Sequence, residues 1–507
     1  MPNSPDFYEC FKYIRNQLRE CRKDGAYIYM QEVWNRSWDK SVLEGHQERL
    51  PIPWHLLTIL KWSVVYGSEP STGLKPFDKN TFRKIYNKLN EVSIPTAFFP
   101  ITDQINLWKF FRCLIFKQTP YQIPLGTHGL CAQKIILMDI GIDYDMSGKL
   151  MSIYGLNLEE YFSLNLLICG LIAMHPKRQT FSLRKFEPLF GVFPPDKIQN
   201  FINHISLDFD QLVDFMTVHH AYVNSPEREY YAITPLVEKP FLKAGERYVP
   251  YDQITTLLHM NYSLYDLFKK TDGSNFGQAF GMGFEKYVET PLKFLNRDFL
   301  SEEQQRSQYS TSSTIDYLVK EGEIKVGIEC KSMEFHPSSI LDPSYENLKS
   351  ILGPFIIKAY TQIHNIASAI KRKEGAAFEI EKHYFIILTF KQVLFGSPLS
   401  NWDEFVKRVF LEKYGEDVSL DFNPGKVFLC SLYEFDYMVK YVSEHNKGIG
   451  ETLSLFYNKN LTPQDAGIGL LTQFPDQTLN PIELPYLRKV HDSMFKELRK
   501  SFPEGQE

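Results

Sequence analysis

Apolar residues recur at helical spacing through much of the first 270 residues, as at Leu164, Leu167, Ile168 and Leu171, so this half is predicted to be mostly helical. Turn-rich stretches interrupt it: GSEPSTGLKPFDKN at 67–80, GVFPPDK at 191–197 and NSPERE at 224–229. The polar break TDGSN at 271–275 sets the main expected domain boundary, with a sub-boundary near 190–200.

Beyond it the pattern changes. GQAFGMGFEKYVET (277–290) reads as a helix stopped near Pro291. Strand-like residues surround Tyr309, STIDYLV (313–319) follows, and KEGE (320–323) turns the chain into EIKVGIECKS (323–332), a hairpin signal. In that last segment Ile324, Val326, Ile328 and Cys330 alternate with Glu323, Lys325, Gly327, Glu329 and Lys331, giving one apolar and one charged face. FIIKAYTQIHNIASAIKRK (355–373) is a helix with Ala359, Ile363, Ile366, Ala367 and Ile370 on one side. The continuous apolar run YFIILTF (384–390) is that of a central strand covered on both faces. KVFLCSLYEFDYMVKYV (426–442) reads as a strand running into a helix. LRKVHDSMFKELRK (487–500) is an amphipathic helix with Leu487, Val490, Met494 and Leu498 as its buried stripe. The expected fold is α+β or α/β and multidomain. A mostly helical domain of unknown role covers 1–270, an α/β core with a central mixed sheet covers 271–445, and a helical extension covers 446–507.

Composition narrows the class. Of 507 residues, 43% are hydrophobic and 23% charged, enough to bury a core, and 15% aromatic content argues against long disordered arms. A net charge of -5 supplies no global field for nucleic acid, so any such contact comes from local patches. Lys286, Lys293 and Arg297, with Lys358, Lys371, Arg372 and Lys373, are the candidates, although solubility alone explains any one of them. Cys10, Cys21, Cys113, Cys131, Cys169, Cys330 and Cys430 are odd in number and never closely paired, which fits a reduced, cytoplasmic protein and excludes the usual zinc ribbons. The N-terminal MPNSPDFYECFKYIRNQ has no apolar signal core, and YFSLNLLICGLIAM (161–174) is too short to span a bilayer, so no membrane is expected.

The charged face of the hairpin carries the candidate chemistry. Glu329 and Lys331 share a strand face, and the preceding strand brings Asp316 beside them. Two carboxylates meeting at one point repel unless a cation lies between them. Hard oxygen ligands in that number suit Mg²⁺, with Mn²⁺ expected to substitute, and the backbone carbonyl of Cys330 is a further ligand. Such an ion polarises a phosphoryl oxygen and acidifies bound water, while Lys331 orients or deprotonates that water or stabilises developing charge.

TIDYLV followed by GIECKS resembles the PD-(D/E)XK nuclease superfamily, the restriction-endonuclease-like fold: Asp316, then Glu329-Cys330-Lys331 thirteen residues on. FGMGFEKYV resembles the first helix of that family, whose acidic residue is here Glu285. KAYTQI resembles the helix after the E-x-K strand, where a Gln often faces the site; the resemblance implies that role for Gln362. The resemblance covers roughly residues 277–440 and leaves the first 270 unplaced. Ile315 replaces the family's nominal Pro, and Ile366 stands where RecB-like members carry Tyr. The resemblance implies a Mg²⁺-dependent endonuclease that leaves a 5′-phosphate, with Asp316 and Glu329 as metal ligands and Glu285 as a third or outer acid. DNA is the expected substrate, in a setting such as restriction, antiviral defence, recombination or a mobile element. RNA cleavage by the same site and a non-catalytic binding platform are the alternatives, and residues 1–270 are expected to meet DNA, a partner or a second copy.

Each reading has a bland counterpart. Glu329 and Lys331 also fit an edge strand with a solvated face and a chance ion pair; Glu285 fits an exposed helix carboxylate; Lys358, Gln362 and Asn365 fit a wet helix face. The only other E-x-K, Glu323-Ile324-Lys325, sits at the turn. DYDMSGK (143–149) lacks the acidic twelfth residue of a calcium loop, and His219 and His220 diverge on a helix, so both read as structural or surface features. No P-loop, dinucleotide fingerprint, nucleophile elbow or H-E-x-x-H occurs, which argues against an NTPase, Rossmann dehydrogenase, α/β-hydrolase or zincin.

Overall fold

Alternating side chains on five strands divide the interior of this α+β protein into two cores. The computed structural model describes residues 7–27, 29, 53–69, 74–91, 126–174, 180–223, 226–332, 345–392, 396–415, 418–461, 470–476 and 478–499. Parts of two expected turns (70–73 and 224–225), Cys113 and residue 500 lie outside them.

Strands β1 (Ser206–Leu207), β2 (Phe241–Ala244) and β3 (Arg247–Pro250) form a small sheet. The main sheet follows in the order β4 (Asp298–Ser301), β5 (Tyr317–Glu321), β6 (Ile324–Lys331), β7 (His383–Thr389) and β8 (Val427–Ser431). β4, β5 and β6 are antiparallel neighbours, while β6, β7 and β8 run parallel. Parallel pairs need long crossovers. Helix α4 (Lys358–Glu374) lies in the first of these; the others used below are α1 (Gln253–Thr271), α2 (Gly273–Phe294), α3 (Glu302–Tyr309) and α5 (Leu432–His445).

On one face Val326, Ile328 and Cys330 of β6 join Tyr384, Ile386 and Leu388 of β7 beneath α1, α2 and α5. On the other, Phe385 and Ile387 pack with Ala359, Ile363, Ile366 and Ile370 of α4. The N-terminal helices split between these cores. Phe7–Arg19, Pro53–Tyr66 and Lys79–Asn90 side with α4, whereas His128–Lys134 and Leu158–Met174 side with α1 and α2. The expected boundary at 271–275 is the junction of α1 and α2 at Asp272, and apolar packing runs across it.

Most predicted elements are present. β7 is buried along its whole length, and a capping box of Ser431 and Glu434 turns β8 directly into α5. Leu487, Val490 and Met494 are buried on the last helix, Pro485–Arg499; the side chain of Leu498 lies outside the described set. One expectation fails. Tyr309 ends a helix, α3, because Ser301 and Gln304 form a capping box that starts one and Gln305 and Tyr309 bury the same face. The preceding helix ends near Pro291 as expected, at Phe294, with Pro291 inside its last turn.

His219 and His220 belong to a charge network rather than a metal pair. Lys61 Nζ lies 2.7 Å from Glu229 Oε1 and 3.1 Å from His219 Nδ1, and His220 Nδ1 meets the same Glu229 oxygen at 2.7 Å. Among the described residues, no helix is long and apolar enough to cross a membrane.

Gly327 shows how tightly the α4 face is filled. A Cβ there would lie 2.5 Å from both Ile315 Cδ1 and Phe385 Cδ1. Gly327→Ala is expected to cost about 1–3 kcal/mol by overpacking, and Gly327→Val more, read as lower denaturant midpoints at unchanged slope.

Candidate active site

β6 is the third strand of five, so the edge-strand reading of Glu329 and Lys331 is overturned. Tyr317 pairs with Ile328 and Leu318 with Gly327; continuing that register sets Asp316, just before β5, opposite Glu329. Asp316 Oδ2 accepts the backbone N–H of Cys330 at 2.5 Å and so replaces a ladder carbonyl at the strand's end. The two carboxylates therefore converge at the C-terminal end of the central strand, on the α4 side.

Glu329 is only 1% exposed. Lys331 Nζ donates to its Oε1 and, at 3.2 Å, to Gln362 Oε1. Gln362 Nε2 in turn donates to the Thr314 carbonyl at 3.0 Å, and Asn365 Nδ2 donates to Ser313 Oγ at 3.0 Å. The wet-face reading of Gln362 and Asn365 therefore gives way to a strut between α4 and the segment just before β5 that carries Asp316. Glu329 Oε2 is buried with no hydrogen-bond partner, an arrangement that costs free energy unless something fills it.

The electrostatics report the same crowding. Burial, then the charge of Asp316, raises the Glu329 carboxyl to about 8, against the pull of Lys331. Glu285, on α2, is raised to about 7 by burial first and by Asp316 second. Asp316 itself is raised, mainly by burial, although the Cys330 N–H opposes this. Glu302, at the start of α3, adds a further negative charge felt by Asp316 and Glu285, and Thr314 Oγ1 donates to its Oε1 at 3.2 Å. Sequence reasoning missed Glu302 and Thr314; the Ser301-x-x-Gln304 capping box and the two-residue offset of Thr314 from Asp316 were the available signals.

The expected basic surroundings are thinner than the sequence suggests. Lys371 pairs with Asp421, and Lys373 donates to the Gln308 carbonyl. Both lie near Glu374, which meets Lys325 at the opposite end of β6. Lys293 pairs with Glu289 and Arg297 with Glu321. Lys358 reaches Glu285 electrostatically.

Among the described residues, no group of three or more His, Cys, Asp or Glu side chains is spaced to hold a metal ion, so Glu285 is not the third member of a ligand trio with Asp316 and Glu329. The donor set that remains is two convergent carboxylates, one with an unpartnered oxygen, and the Cys330 carbonyl between Glu329 and Lys331. It fits Mg²⁺, which takes one or two protein carboxylates and keeps its waters. No family model matches this chain, and no curated protein and no solved structure matches it.

The carboxyl at Glu329 gives a signed pH dependence. Its proton is held to about 8 in the folded protein against 4.5 for the ordinary group. Between those values the folded state binds more protons than the unfolded one, so this contribution to stability is full at low pH and is lost as pH rises through 8. In EDTA the melting temperature is expected to fall between about pH 5 and about pH 8.5, and Glu329→Gln to flatten that fall by several degrees. Millimolar Mg²⁺ at the higher pH is expected to raise the melting temperature of the wild type and not of Glu329→Gln.

Proposed function

We propose that this chain is a divalent-metal-dependent nuclease that hydrolyses phosphodiester bonds, with DNA as its substrate. The observation that carries the reading is the buried, unpartnered Oε2 of Glu329 beside Asp316 and Lys331. A strand end that concentrates negative charge in a dry setting and leaves an acceptor unfilled is suited to a cation and poorly suited to stability alone.

Asp316, Glu329 and the Cys330 carbonyl would hold Mg²⁺ or Mn²⁺. When bound, the ion supplies Lewis acidity toward a phosphoryl oxygen and toward water. The remaining roles fall to the chain's own groups. Lys331 is fixed from two sides, by Glu329 and by Gln362, so its ammonium is aimed before any substrate arrives. There it orients water or meets negative charge as that charge develops on phosphorus. Gln362 is a positioning residue, holding Lys331 against the Thr314 carbonyl. Glu285, with its carboxyl raised to about 7, can hold or release a proton near neutral pH at the rim. Residues 1–270 serve as scaffold for this site and as a surface for DNA or a partner.

The test is cleavage of plasmid, linear duplex, single strand and RNA with Mg²⁺, Mn²⁺ or EDTA. DNA cleavage is expected with either metal and none with EDTA. Asp316→Asn, Glu329→Gln and Lys331→Ala are each expected to lose about 100-fold or more, and Gln362→Ala less. Cleavage that survives in Glu329→Gln or Lys331→Ala overturns the assignment. Cleavage of RNA alone moves the substrate but keeps the site, and no cleavage of any polymer favours a binding platform.

A further inference from the structure

The two helices that flank the carboxylates each present an exposed apolar side chain at the rim. α4 meets Lys331 at Gln362 and Lys325 at Glu374, so it runs antiparallel to β6 and its beginning projects past the strand's C-terminal end. Phe355 stands seven residues before Gln362, in the π-helical turn Gly353–Ile357 that leads into α4, about 10 Å further out. It is 40% exposed, while its neighbours Ile356, Ile357 and Ala359 are buried. On the other side, α2 passes the same end. A Cβ at Gly281 would lie 3.4 Å from Ser332 Oγ, directly after Lys331, and Glu285 one turn later feels Asp316 and Lys331. Met282, between them, is 47% exposed on a helix whose Phe276, Phe280 and Phe284 are buried. Single exposed apolar residues need no explanation. These two come from separate elements, each of which passes the C-terminal end of β6.

A regular duplex turns phosphates outward and stacks its bases inward, so it offers such side chains little. Charge also disfavours a duplex grip. With Lys293, Arg297, Lys371 and Lys373 already engaged and Lys331 held by Glu329 and Gln362, Lys286 and Lys358 are what the basic set named from the sequence leaves near this strand end for phosphates. About two such contacts give weak, weakly salt-dependent binding. Stacking on an unpaired base supplies affinity that charge here does not.

Resting on the nuclease reading above, we propose that Phe355 and Met282 contact bases, and that the site takes nucleic acid whose nucleotides at the scissile phosphate are unpaired. Phe355 stacks on the base next to the phosphate held between Lys358 and Lys331, with Met282 closing the opposite side. A duplex enters only where it is frayed, nicked or looped.

The full-length protein with Ca²⁺ in place of Mg²⁺ is titrated into a fluorescein-labelled single strand and into its duplex, read by anisotropy. The wild type is expected to prefer the single strand. Phe355→Ala is expected to weaken that binding about 5- to 100-fold, with duplex binding unchanged and Phe355→Trp restoring affinity. An internal 2-aminopurine is expected to be quenched by the wild type and by Phe355→Trp but not by Phe355→Ala. Thermal melts of each variant separate folding from binding. Equal single-strand binding by wild type and Phe355→Ala, or a wild-type preference for duplex, overturns the proposal. If duplex cleavage then still depends on Lys331, the nuclease reading stands alone; if the wild type binds neither strand form and cleaves nothing, both fall.

Discussion

A carboxylate buried at the end of a central strand is the constraint on which the rest depends. Taking the charge of Glu329 out of water costs several kcal/mol, and the opposing charge of Lys331 returns only part of that in a dry setting. Asp316 beside it makes matters worse, since each carboxylate raises the cost of ionising the other. A chain selected for stability alone fills such a position with a β-branched apolar residue, as β7 does at the paired position, Ile387. Keeping three polar groups there means that the fold supports a local deficit, of the kind that accumulates at functional sites.

The support comes from both faces of the sheet. On one, α4 supplies a row of Ala and Ile that seals the strands and then, at the strand end, changes to Gln362 and Lys358. On the other, Phe280, Phe284 and Phe390 close against each other beneath α1 and α2. A buried carboxylate ties this second layer together: Asp436 accepts from His128 at 2.7 Å, Tyr287 at 2.8 Å and Tyr486 at 2.7 Å. Those partners come from the first half, from α2 and from the last helix. Three segments distant in sequence are thus tied to α5, which follows directly from β8 of the sheet that carries the carboxylates. A tied frame of this sort fixes the strand ends, and a site built on strand ends inherits that precision.

Much of this was legible because period and face are local properties. The alternation in EIKVGIECKS put Glu329 and Lys331 on one side, and the unbroken run in β7 announced burial on both. Whether β6 lies at the edge or the centre of its sheet is not local, since it depends on β7 arriving some fifty residues later through a crossover. Gln362 looked like one polar residue among several on a helix face; only the register of α4 against β6 aims it at Lys331. The basic residues misled for the same reason. Lys358 and Lys373 sit on one helix, yet its length carries them to opposite ends of the strand. Tyr309 misled because a β-favouring aromatic sat inside a helix whose capping box lay further upstream.

The contact between Lys331 and Glu329 bears on how such a site rests and acts. One ammonium cannot satisfy two carboxylates and also face a substrate. In the cation-free protein it donates to Glu329, leaving Asp316 to the Cys330 N–H and Oε2 to nothing. A divalent charge between the carboxylates would relieve both at once and release Lys331 from its strongest partner, while Gln362 still holds it in place through the weaker bond. The lysine would then keep its position and lose its strongest partner, as the proposed role of meeting charge on a substrate requires. On that reading Gln362 would be the residue through which the cation-free and cation-bound arrangements share a geometry: its amide spans Lys331 and the Thr314 carbonyl, two residues from Asp316.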